Sequence, residues 1–132
     1  MTILVIEDSR FLRSVVEKTF GRAGYAVATA ADGQQGLNLA QEVRPDIILL
    51  DMMLPSIEGT EVLRQLKGDP KTKDIPVVVL SSLSQKNEMR LKTAGAAAYF
   101  EKSKLKIDND GKDLLDIVAQ LIVKTAATKT QP

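Results

Sequence analysis

Five short apolar runs punctuate this chain at Ile3 to Ile6, Tyr25 to Ala30, Ile47 to Leu50, Val77 to Leu80 and Ala97 to Phe100, and stretches of helical spacing separate them. A run of four aliphatics such as Ile47 to Leu50 reads as a strand covered on both faces. Between the first and second runs, Phe11, Leu12, Val15, Val16 and Phe20 recur at the spacing of a helix that stops at Gly21 and Gly24. Asp32-Gly33 reads as a turn, Gly36 to Val43 as a small-residue helix stopped before Arg44-Pro45, and Gly59 to Leu66 as a helix with Val62, Leu63 and Leu66 inward. Lys67 to Pro76 reads as a polar loop, Gln85 to Ala94 as a fourth helix ended by Gly95, and Leu114, Leu115, Val118, Leu121 and Ile122 as one face of a last helix. Strands alternating with helices imply an α/β fold, since parallel neighbours need crossovers and helices then cover both faces of the sheet. Periodicity alone leaves the strand order open.

At 132 residues the chain has the usual size of one domain. The expected division is a domain over 1–124 and a patternless tail, or the start of a linker, over 125–132. Eighteen basic residues against seventeen acidic give a net charge of +1, which offers no footprint for direct nucleic-acid binding, and no stretch is apolar enough for a membrane span. The chain contains neither cysteine nor histidine, so its chemistry falls to carboxylates, hydroxyls and lysines. Its start has no leader pattern, and a cytoplasmic location is expected.

The candidate chemistry emerges when the C-terminal ends of the strands are aligned, because in a parallel sheet they share one edge. The first run ends in Glu7-Asp8, the third in Asp51, the fourth in Ser81-Ser82 and the fifth in Glu101-Lys102. Three carboxylates brought together repel unless a cation is present, and an all-oxygen donor set suits a hard ion such as Mg²⁺. A hydroxyl and an ammonium facing them complete a pocket for the oxygens of a phosphoryl group in transfer, with Asp51 as a candidate nucleophile.

Glu7-Asp8, Asp51, Ser81 and Lys102, together with Met53-Leu54-Pro55 and Gly59, give the chain over residues 2–124 a pattern that resembles the receiver domain of two-component response regulators, similar to the chemotaxis regulators. The resemblance implies a flavodoxin-like sheet of order 2-1-3-4-5. It also implies that Asp51 accepts a phosphoryl group from a histidine kinase or a histidine phosphotransfer protein. In such a domain Asp8 would bind Mg²⁺ (or Mn²⁺) directly, Glu7 mainly through water, and Asp51 and the Met53 backbone carbonyl would complete the protein ligands. Ser81 and Lys102 would contact phosphoryl oxygens, and Tyr99 would be the aromatic that rotates when the hydroxyl moves. The face made by the fourth helix, fifth strand and last helix, with Lys86, Arg90, Tyr99, Glu101 and Lys104, would then meet an effector protein or a second copy. No enzymatic turnover is expected beyond self-phosphorylation from a donor and slow loss of the phosphoryl group.

Each signal has a plainer competitor. Asp8 and Ser9 are favoured as helix caps, Ser81 as a turn residue, Lys102 as a solvated charge and Tyr99 as core packing. Asp108-Asn109-Asp110-Gly111 reads as a turn and helix cap, because Lys106 and Ile117 stand where a calcium loop needs ligands. Ser103 replaces the proline usual after the lysine of the receiver pattern, Ser81 stands where threonine is common, and Met53 and Leu83 are apolar where side chains handle the hydrolytic water. Two rival functions compete with this reading: a receiver that docks or dimerises without phosphorylation, and a Mg²⁺-dependent aspartate-nucleophile phosphatase. The phosphatase motif requires an acid/base aspartate where this chain has Met53.

Overall fold

The structure is a computed structural model that describes residues 1–55, 57–81, 95–101 and 112–130. The five runs become strands β1 (Thr2–Ile6), β2 (Ala26–Ala30), β3 (Ile47–Asp51), β4 (Val77–Ser81) and β5 (Ala98–Glu101). The described helices are α1 (Arg10–Arg22), α2 (Gly33–Val43), α3 (Gly59–Gly68) and α4 (Lys112–Thr130). The expected fourth helix over 85–94 lies outside the described residues, as do Ser82, Leu83, Lys86, Arg90, Lys102, Ser103, Lys104 and the 108–111 turn.

All strand pairs are parallel, in the order β2-β1-β3-β4-β5, which is the flavodoxin-like arrangement. The central strand β3 is buried along its whole length, from Ile47 to Asp51. Alternate side chains of a strand point to opposite faces. Leu4, Ile6, Ile48, Leu50, Val77 and Val79 therefore join Leu37 and Ala40 of α2 and Val62, Leu63 and Leu66 of α3 in one apolar layer. Ile3, Val5, Ile47, Leu49, Val78 and Leu80 join Leu12, Val16 and Phe20 of α1 and Leu114, Val118 and Ile122 of α4 in the other. This double coverage is why the strands read as continuous apolar runs rather than as alternating ones.

Strand ends shift by a residue from the sequence reading, and three helix ends differ from it. The turn at Asp32-Gly33 is the start of α2: Asp32 is the N-cap, and its Oδ1 accepts from the Gln35 amide at 2.8 Å. Two glycines weaken the helical signal there, but the space at Gly36 is filled by the Ile6 side chain, so close packing replaces propensity. At the other end of the chain, α4 continues to Thr130, although its apolar pattern stops at Ile122. Each residue added to an existing helix gains a hydrogen bond at little nucleation cost, and Ala126 and Ala127 are the best helix formers. Finally, α3 includes Lys67 and Gly68 before the polar turn begins.

Candidate functional site

The register carries Glu7 to Asp51. Ile6 pairs with Leu50, so one step further along both strands Glu7 stands beside Asp51. Both are completely buried, while Asp8, next along the chain, is exposed. One carboxylate oxygen from each of the three residues falls within 4.8 Å of the other two. Like charges this close favour a cation between them, and three carboxylates without nitrogen or sulfur form the donor set of a hard divalent ion. Glu7, Asp8 and Asp51 therefore fit Mg²⁺.

Backbone amides fix two of these carboxylates. The Ser9 amide donates to Glu7 Oε2 at 2.8 Å, and the Met53 amide donates to Asp51 Oδ1 at 3.1 Å. Ser9 is also the N-cap of α1, its Oγ accepting from the Leu12 amide at 3.3 Å. Of the expected cap pair, then, Ser9 caps the helix and Asp8 is left to the acidic cluster. The Glu7 amide still donates to the Ala30 carbonyl at 3.0 Å, extending the β1–β2 ladder by one bond. Arg13, which the sequence reading did not single out, donates from Nη1 to the carbonyl oxygens of Glu7 at 2.7 Å and Asp8 at 3.1 Å. An arginine one turn inside the helix after an acidic pair was the available signal.

The loop after β3 sets the position of Asp51. The Gly59 amide donates to the Met52 carbonyl at 3.0 Å, drawing the start of α3 against the end of β3. A Cβ at Gly59 would overlap the Asp51 carbonyl and the Met52 Cα, so the approach depends on glycine. Met53 is 64% exposed, at the mouth of the site, between the buried Met52 and Leu54.

Of the other expected site residues, Ser81 is the last residue of β4 and pairs with Glu101 of β5, and β4 pairs with β3 up to Asp51↔Leu80. Tyr99 is half-buried and packs on the α2/α3 side of the sheet. The structure thus brings Glu7, Asp8 and Asp51 together and puts Ser81 at the same edge, with Lys102 beyond the described residues.

The family described as the response regulator receiver domain matches residues 3–121. The chain belongs to this family. As a receiver domain it is 43% identical over 81 residues to the transcriptional regulatory protein AfsQ1 of Streptomyces coelicolor, a match covering 61% of this chain and 35% of that protein. It is 32% identical over 102 residues to the polar-differentiation response regulator DivK of Brucella anthropi, covering 76% of this chain and 83% of DivK. Among solved structures, the chemotaxis protein CheY4 of Vibrio cholerae superimposes with a TM-score of 0.80 at 30% identity, over 90% of this chain and 96% of CheY4. The receiver domain thus spans about a third of AfsQ1 and most of DivK. Receiver domains are switches of two-component signalling rather than conventional enzymes, and the acidic cluster is of the kind with which they bind Mg²⁺. Among the described residues, no helix is long and apolar enough to cross a membrane.

Proposed function

We propose that Asp51 is the phosphoacceptor of a two-component phosphorelay, taking its phosphoryl group from a histidine kinase or a histidine phosphotransfer protein in the cytoplasm. The observation that carries this reading is a fully buried aspartate at the end of the central strand, with oxygens of Glu7 and Asp8 within 4.8 Å of its own. In the reaction, one Asp51 carboxylate oxygen attacks the phosphorus of a phosphohistidine. The P–O bond forms as the P–N bond breaks, the imidazole nitrogen leaves with the electron pair, and an acyl phosphate results. Asp8, Glu7 through water, Asp51 and the Met53 carbonyl would hold Mg²⁺ or Mn²⁺, which when bound neutralises charge on the phosphoryl oxygens. Ser81 and Lys102 are assigned to those oxygens as hydrogen-bond donor and counter-charge, and Tyr99 to the rotation that accompanies movement of Ser81.

Phosphorylation adds nearly two negative charges at one strand end, enough to draw a hydroxyl and an ammonium toward it. The output surface in this reading is the face of segment 85–94, β5 and α4, its partner an effector protein or a second copy of the chain. Direct contact with nucleic acid is not part of the reading, although relatives such as AfsQ1 and the DNA-binding regulator RpaA of Synechocystis are named as transcriptional regulators. With the apolar Met53 exposed and an apolar Leu83 two positions beyond Ser81 in the sequence, neither residue type orients a hydrolytic water, so the acyl phosphate is expected to outlast seconds.

The test is the intact mass of the protein after incubation with a small phosphodonor, with and without Mg²⁺, beside Asp51→Asn. The expected result is one added phosphoryl group, only with metal and only in the parent. A folded parent that binds Mg²⁺ but never gains that mass would overturn the reading, leave a constitutive docking or dimerising receiver, and make Ser103 the first residue to replace.

A further inference from the structure

Arg13 reaches back from α1 to the end of β1. Its Nη1 lies 2.7 Å from the Glu7 carbonyl oxygen and 3.1 Å from that of Asp8. Both carbonyls stand past Ile6, the last residue of β1 in the pairing with β3. The turn is therefore held from several directions: by the Ala30 carbonyl on the Glu7 amide, by the Ser9 amide on the Glu7 carboxylate, and by the guanidinium on two successive carbonyls.

We propose that Arg13 is a positioning residue for the cation site, fixing the main chain of residues 7 and 8 so that their carboxylates converge with that of Asp51. The proposal rests on the metal-binding part of the reading above. A planar guanidinium with several donors suits this task, since one nitrogen can donate to both oxygens.

Charge and orientation predict opposite signs for a neutral residue at position 13. A fixed positive charge beside a cation site repels the incoming ion, so its removal should tighten binding if charge were all that mattered. If Arg13 orients the ligands, its removal should weaken binding, because groups that orient metal ligands are typically worth about 10- to 100-fold in affinity.

The experiment is calorimetric titration of Mg²⁺ into the parent, Arg13→Ala, Arg13→Lys and Arg10→Ala, with thermal unfolding of each metal-free protein. Arg13→Ala should bind Mg²⁺ about tenfold more weakly, with Arg13→Lys in between. Arg10, exposed on the same helix, supplies the charge control: Arg10→Ala should bind as tightly as the parent or slightly more so. If the alanine variant fails to fold, Arg13→Met, neutral and without a donor but keeping the aliphatic stem, carries the same comparison. Unchanged or tighter binding in the neutral variant that folds overturns the proposal, as does a parent that binds no Mg²⁺. Phosphoryl acceptance at saturating Mg²⁺ is scored separately by mass. Its failure in a metal-binding parent overturns the phosphoacceptor reading and leaves the role of Arg13 standing.

Discussion

Gly59 occupies a place that no larger residue can share. A methyl group there would press on the Asp51 carbonyl and the Met52 backbone, which are main chain and cannot turn aside. Gly59→Ala should therefore lower unfolding free energy by about 1–3 kcal/mol, as overpacking does, and should slow phosphoryl acceptance by moving the acceptor's own backbone. Chemical denaturation and the rate of mass gain check the two parts separately. The acidic cluster was legible in the sequence because a charge directly after a run of buried aliphatics has few structural reasons to be there. Glu7 and Asp51 announce themselves in this way. Arg13 and Thr72 do not, since each spends its side chain on backbone carbonyls: Thr72, buried, donates from Oγ1 to the Leu66 carbonyl at 2.7 Å. No residue pattern marks a carbonyl as needing a partner.

The segment after α3 carries more structure than its polar composition suggested. Asp69 organises it, its carbonyl accepting from the amides of Thr72 and Lys73 and its Oδ1 from the amide of Lys71. Lys67 spans the turn, donating from Nζ to the carbonyls of Lys73 at 3.1 Å and Ile75 at 2.8 Å. Burial pushes its ammonium below the ordinary lysine range, with Asp74 acting the other way. The folded protein thus releases this proton at a lower pH than the unfolded chain does. Between those two values the unfolded chain holds more protons, so stability rises with pH, while below both the burial penalty is present in full. Relative to Lys67→Met, the parent should gain stability as pH climbs toward the ordinary lysine value, and denaturant midpoints on either side of that window measure it. Strands were easier to read than such turns because burial on both faces writes them as unbroken apolar runs. The start of α2 was harder, because Gly33 answers to Val62 and Ile57 and Gly36 to Ile6, rather than to helix propensity.

The order of the strands needed more than periodicity, since any right-handed arrangement of five parallel strands gives the same apolar runs. Resemblance supplied the order 2-1-3-4-5, and the pairings bear it out. The folded sheet divides the interior into two side-chain layers. Ile48 belongs to the α2/α3 layer and Ile3 to the α1/α4 layer, although their strands are hydrogen-bonded neighbours. Ile3→Val and Ile48→Val should each cost about 0.5–1.5 kcal/mol, and the double variant should fall within about 0.5 kcal/mol of their sum. A larger departure, read from denaturation of all four proteins, would mean that the layers communicate. If they do not, the sheet acts as a partition with Asp51 at its rim. Core substitutions could then accumulate on one side of the sheet without disturbing the packing of the other, so the two layers would drift independently.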